Sequence, residues 1–153
     1  MKKEWGLLPK ILSGEKTIES RWLKVKVAPW GRVQVGDRVY FKNSSEPVTV
    51  GATVARVIQT FLTSEVSADS TSEVDSLGST VATVKEILEK YGERDGLGID
   101  DVPYFCELFK DKSYCILIFL KHPQRVKPFE IDKSGFGMQS AWLCVETIDK
   151  VRK

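Results

Sequence analysis

Leu7, Leu8, Ile11 and Leu12 recur at the spacing of one helical face, and Gly14 follows as a natural stop. A short helix is expected there, with Pro9 tolerated in its first turn. The period then changes from helical to alternating. From Thr17 to Trp22 an extended strand places Thr17, Glu19 and Arg21 on one face and Ile18, Ser20 and Trp22 on the other. Gly36-Asp37 signals a turn directly before Arg38–Lys42, where Val39 and Phe41 face one way and Arg38, Tyr40 and Lys42 the other. Val48 to Gln59 reads as a third strand, with Val48, Val50, Ala52, Val54 and Ile58 on one parity. Arg56 interrupts that parity, as at a bulge or where a strand emerges into solvent.

Beyond residue 60 the character shifts. Residues 60–80 hold ten Ser/Thr, four acidic residues and no Lys or Arg, so 64–79 is expected to be a mobile surface loop with too little apolar matter to offset its ordering entropy. Thr83-Val84-Lys85-Glu86 fits a capping box opening a helix with Val84, Ile87, Leu88 and Tyr91 as its apolar stripe, ending at Gly92. Residues 93–98 read as a charged, glycine-containing loop. Asp101 can cap a second helix striped by Val102, Phe105, Cys106 and Phe109. Tyr114–Leu120 is uninterruptedly apolar, which implies a strand covered on both faces. After a turn at His122-Pro123, residues 126–131 are extended, with Pro128 indicating an edge or a bulge. A last strand is expected over 140–145, after the Gly135-Phe136-Gly137 connection.

Five or six strands, a short N-terminal helix and two helices in the middle suit an α+β fold: a small mixed sheet closed as a barrel with flanking helices, in one domain over 1–153. A doubly wound parallel sheet fits poorly, because strands and helices do not alternate and no glycine-rich dinucleotide fingerprint follows a strand.

Composition narrows the chemistry. Cys106, Cys115 and Cys144 are odd in number and widely spaced among apolar residues, which suits buried small hydrophobes rather than disulfides or a metal motif. With His122 as the sole histidine, neither a His-rich zinc site nor a Ser-His-Asp triad is expected, and no metal or cofactor is implied. The start, Met1-Lys2-Lys3-Glu4-Trp5, lacks the apolar core of a signal peptide, and no apolar run approaches the roughly 20 residues that span a bilayer. A cytoplasmic protein without a membrane partner is expected. The overall charge of +2 hides an asymmetry: residues 1–42 carry ten Lys/Arg and four Asp/Glu, the remainder thirteen and seventeen. A basic N-terminal third suits a phosphate-bearing partner.

Leu8-Pro9-Lys10-Ile11-Leu12-Ser13-Gly14-Glu15-Lys16-Thr17-Ile18-Glu19-Ser20-Arg21 resembles the G-x-K-x-x-E-x-R signature of ASCH domains, members of the PUA-like superfamily, with Gly14, Lys16, Glu19 and Arg21 matching position by position. Val35–Phe41 resembles the turn and strand that follow the signature, and the later elements come in the family's order. The resemblance implies a small β-barrel with a cleft beside the signature. It also implies binding of RNA, single-stranded nucleic acid or a nucleotide-like small molecule. Some relatives are enzymes: one ASCH group hydrolyses N4-acylated cytidines, and ribonuclease activity occurs elsewhere in the superfamily. The amidohydrolase pattern has a threonine three residues after the signature lysine, where this chain has Glu19.

Within that frame Lys16 and Arg21 can hold phosphate, Arg21 bidentately and Lys16 as a point charge. Glu19 can orient Arg21, accept a hydrogen bond from a base or ribose, or act as acid/base. In an enzyme, Lys16 and Glu19 would be the catalytic pair. Tyr40 and Lys42 on the second strand, and Lys133, Gln139 and Ser140 in the glycine-rich connection, are further candidate ligand contacts. Trp22, Trp30, Tyr40 and Trp142 are the candidate stacking surfaces, although parity turns Trp22 toward the core.

Overall fold

The computed structural model describes residues 1–64, 80–92, 96–137 and 140–153. Its elements are α1 (Leu7–Ser13), β1 (Ile18–Leu23), β2 (Arg38–Phe41), β3 (Val48–Leu62), β4 (Thr80–Ala82), α2 (Val84–Tyr91), α3 (Val102–Phe109) and β5 (Tyr114–Phe129), with single 3-10 turns at Lys3–Trp5 and Ile148–Lys150. The helices begin and end where the local chemistry requires. Gly14 closes α1 in the left-handed region (φ 80°). Thr83 and Glu86 form a reciprocal capping box on α2, and the Asp101 carboxylate accepts from the Tyr104 N–H at the start of α3.

The sheet runs β1-β5-β3-β2, with β4 parallel to the end of β3 and every other pairing antiparallel. Because β5 takes one edge of β3 along most of its length, β2 and β4 share the other edge at opposite ends. The expected barrel is not closed: among the described residues β1 and β2 do not pair, and the fold is an open α+β sheet of five strands with three helices. The two long central strands, rather than closure, unite the structure.

Both faces are covered. Alternation along β5 sends Ile116 and Ile118 to one core, with Leu8 and Ile11 of α1, Val39 and Phe41 of β2, and Val50, Ala52 and Val54 of β3. Cys115 and Leu117 go to the other, with Ile18, Leu97, and Ile87 and Leu88 of α2. Such residues are worth roughly 1.5–3 kcal/mol each when fully buried. In β3 the register slips between Val54 and Arg56, which oppose the adjacent Leu120 and Phe119. Ala55 is the extra residue of a bulge, and parity reverses across it. Val54 faces the first core, whereas after the bulge Val57 packs there and Ile58 packs against the second.

Two other expectations change. His122-Pro123 does not end a strand; β5 continues through it, with His122 at φ 51° and register shifts absorbing the turn signal. Pro128 lies in the part of β5 beyond its pairing with β1, at an edge as expected. Residues 140–145 are not a strand. Ala141–Val145 line a cleft as irregular backbone, and Trp142 packs on the first core, so their strand-like apolarity serves as cover without a ladder. The expected loop lies almost wholly outside the described residues, since 65–79 are not among them. Among the described residues no helix is long and apolar enough to cross a membrane.

Candidate functional site

The left-handed turn at Gly14 directs the chain from α1 into β1, and the Lys16 N–H then donates back to the Lys10 carbonyl at 2.9 Å. Lys16 is thereby aimed inward and is only 5 % exposed. Its Nζ donates to the carbonyls of Ile18 (2.7 Å) and Leu97 (3.1 Å) and lies 3.7 Å from Glu19 Oε2. Burial lowers the Lys16 pKa, the Glu19 carboxylate pulls it back up, and the Arg21 guanidinium lowers it again.

The turn beneath Lys16 is itself fixed. The Leu97 N–H donates to the Tyr91 carbonyl at 2.9 Å, and the Gly96 carbonyl accepts from the N–H groups of Thr17 and Ile18, both at 3.1 Å. A Cβ on Gly96 would fall 2.2 Å from the Tyr91 carbonyl oxygen, so glycine is needed for this close approach. The end of α2 and the start of β1 are thus clamped together with the lysine between them.

Glu19 and Arg21 oppose Ile118 and Ile116 across the β1–β5 ladder, while Trp22 is on the opposite face. There Trp22 stacks on Phe109 of α3, with ring centroids 4.3 Å apart and planes 6° from parallel. Glu19 Oε1 is 3.0 Å from an Arg21 terminal nitrogen, and the carboxylate is buried. Arg21 projects farther, its guanidinium carbon 5.2 Å from the Trp142 ring centre. Its Nε–H is buried and has no hydrogen-bond partner among the described residues. The three charges form a graded chain: an interior ammonium, a carboxylate between, and a guanidinium reaching outward.

Arg21 enters a broad cleft of about 1030 Å3. Lys2, Arg32, Arg38, Lys42 and Lys133 also line it, against the carboxylates of Asp37 and Glu146. The aromatic lining includes Tyr40, which meets Phe129 edge-on with centroids 5.8 Å apart, and Trp142. Lys133 Nζ donates to the Ser140 carbonyl at 3.1 Å, tying two sections of the rim.

Of the residues singled out from sequence, Arg21, Tyr40, Lys42, Lys133 and Ser140 line this cleft. Lys16 and Glu19 do not; they lie behind Arg21 as its support. Gln139 lies outside the described residues. Arg32 and Arg38 were missed. Arg38 was within reach, sharing its strand parity with Tyr40 and Lys42, whereas Arg32 occupies a turn with no periodic signal. Trp30 is at none of these surfaces and packs instead against the first core.

The fold is that of ASCH-domain proteins. The ASCH protein of Zymomonas mobilis superposes with a TM-score of 0.54 at 14 % identity, covering 96 % of this chain and 80 % of that one. Its tyrosine-to-phenylalanine variant gives 0.55 at 14 % identity, with coverages of 96 % and 83 %. A serine-to-alanine variant gives 0.54 at 14 % identity, with 85 % and 70 %. No protein-family model and no curated protein matches the sequence.

Proposed function

We propose that the protein binds RNA or a nucleotide-like ligand through the cleft beside its G-x-K-x-x-E-x-R segment. The observation that carries this reading is Arg21: a guanidinium steadied by Glu19, close to the Trp142 ring, its Nε–H without a partner among the described residues, at the wall of a predominantly basic cleft. A guanidinium offers phosphate a planar fork, and the half-buried rings of Tyr40 and Trp142 at the cleft wall suit base stacking. Lys16 and Glu19 act as positioning residues, holding Arg21 in orientation from behind. The ASCH-like fold agrees with the RNA-binding role that the sequence resemblance implies.

The test is a low-salt titration of a fluorescent single-stranded RNA, with mononucleotides as competitors. Arg21→Ala should weaken binding roughly 10- to 100-fold, the loss of a charge-assisted contact. Absence of saturable binding to single-stranded RNA, single-stranded DNA and nucleotides alike would overturn the proposal.

A second reading, hydrolysis of an N4-acylated cytidine or an RNA phosphodiester, draws on the lowered Lys16 pKa beside Glu19, the kind of coupling used in acid–base work. Both Lys16 hydrogen bonds go to backbone carbonyls and its side chain is away from the cleft lining, so binding ranks first. Turnover of either substrate by the wild type, abolished in a folded Lys16→Met protein, would reverse that ranking.

A further inference from the structure

Away from the Arg21 cleft, three aromatic rings converge on one ammonium. Lys26 Nζ lies 4.8 Å from the ring centre of Phe61, 5.6 Å from that of Tyr114 and 5.7 Å from that of Trp30. The rings are walls of one corner. Phe61 and Trp30 meet at 71°, Trp30 and Tyr114 at 63°, and Phe61 and Tyr114 at 68°, with centroids 5.2–5.7 Å apart. Each wall is fixed by backbone: Phe61 and Tyr114 are paired residues on β3 and β5. Trp30 is braced by its own N–H donating to the Val27 carbonyl and by the Gly31 N–H donating to Gln59 Oε1.

The occupant is held less firmly than the walls. Lys26 is exposed, lies outside regular secondary structure, and among the described residues has no carboxylate partner. Neighbouring Lys24, by contrast, pairs with Asp111 at 2.7 Å. The visible electrostatic attraction on Lys26 is therefore that of the ring faces. Among the described residues every other cation that approaches a ring face approaches one ring, so three faces converging on a single ammonium set Lys26 apart. A primary ammonium is also strongly hydrated and gains little by leaving water. A methylated ammonium carries the same charge with weaker hydration and presents methyl groups to the rings, so the same corner favours it over Lys26.

The geometry points to a second binding site, in which Trp30, Phe61 and Tyr114 form a receptor for a methylated ammonium group and Lys26 is its displaceable internal occupant. This site does not depend on the reading of the Arg21 cleft. Wild-type affinity is reduced by the fraction of molecules in which Lys26 fills the corner, and removing that side chain restores it.

The test is titration with tetramethylammonium, following the Trp30 indole N–H by NMR, in wild type and Lys26→Ala. The substituted residue is exposed, and circular dichroism checks that the fold is retained. Saturable shifts are expected in both proteins, with binding about tenfold tighter in Lys26→Ala. The uncharged isostere of choline, 3,3-dimethylbutan-1-ol, should bind at least about tenfold more weakly than choline. A trimethyllysine peptide that binds well above tetramethylammonium and its unmodified counterpart would support a protein source for the cation. Equal affinity for the peptide and choline would support a small-molecule source. No saturable shift in Lys26→Ala, or equal binding of the uncharged isostere, would overturn the receptor. Identical affinities in wild type and Lys26→Ala would overturn the role of Lys26 as occupant.

Discussion

Replacing Lys16 separates support from ligand contact. Its ammonium makes two hydrogen bonds to buried carbonyls and lies 3.7 Å from a buried carboxylate. Hydrogen bonds to a charged group are worth about 1.5–3 kcal/mol each, and the relief of ammonium desolvation on truncation offsets part of their loss. Breaking a buried pair from one side leaves a net cost of about 3–5 kcal/mol. For Lys16→Ala that corresponds to a fall in Tm of about 6–20 °C. Lys16→Met keeps the length of the stem and removes only the ammonium, so most of the loss should persist. Arg21→Ala removes a side chain that is 29 % exposed and leaves Glu19 its contact with Lys16, for a loss of about 1–2 kcal/mol. Urea denaturation followed by circular dichroism measures all three, with unchanged m-values indicating the same unfolding transition. A Lys16→Ala loss below about 1 kcal/mol, or one smaller than that of Arg21→Ala, would refute the assignment of Lys16 as internal support.

The lowered Lys16 pKa also carries a pH signature. Between its folded value and the ordinary 10.5 the unfolded chain binds more protons, so this residue's contribution rises with pH. Burial raises the Cys115 pKa and works oppositely, with stability falling as pH rises above the thiol's ordinary 9.0. The difference between wild type and Lys16→Met in urea melts across that window should isolate the rising lysine component. Gly96→Ala should destabilise the protein by at least about 2 kcal/mol, since the new Cβ meets the Tyr91 carbonyl; a thermal melt within 2 °C of wild type would contradict this. Ile118→Ala should cost about 2–5 kcal/mol through a cavity in the first core, read by urea denaturation. For RNA binding, Arg21→Ala should flatten the slope of log affinity against log salt by about 0.7, as expected for one lost phosphate contact on a single strand.

Much of the fold was legible because local chemistry and tertiary packing agree. Gly14, the Thr83–Glu86 box and Asp101 end or begin helices where the sequence places them, and the continuous apolarity of Tyr114–Leu120 matches a strand covered on both faces. The misreadings occurred where tertiary context overrides a local signal. His122-Pro123 is a credible turn, but β3 alongside carries β5 through it. Residues 140–145 are apolar enough for a strand, yet their apolar atoms cover a core and line a cleft. At the candidate site, alternation separated Arg21 from Trp22 correctly, but it could not give depth. Whether Lys16 reached solvent or the interior depended on Gly96 and Leu97, some eighty residues away. A still greater separation, about 120 residues, hid the approach of Trp142 to Arg21.

The single extra residue in β3 works as a frame shift within the folded strand. Upstream of Ala55 the even-numbered positions supply the first core, whereas downstream the odd-numbered positions share that side. Phe61 can therefore oppose Tyr114 and meet Trp30 on the side already occupied by Val50, Ala52 and Val54. Were Ala55 kept but drawn into regular alternation, Phe61 would fall on the opposite face, toward α2 and α3. Deleting Ala55 instead removes the bulge, joins Val54 to Arg56 opposite Leu120 and Phe119, and leaves Phe61 opposite Tyr114. The surroundings of Lys26 are thus encoded in the parity of a strand whose inserted residue lies six positions before Phe61.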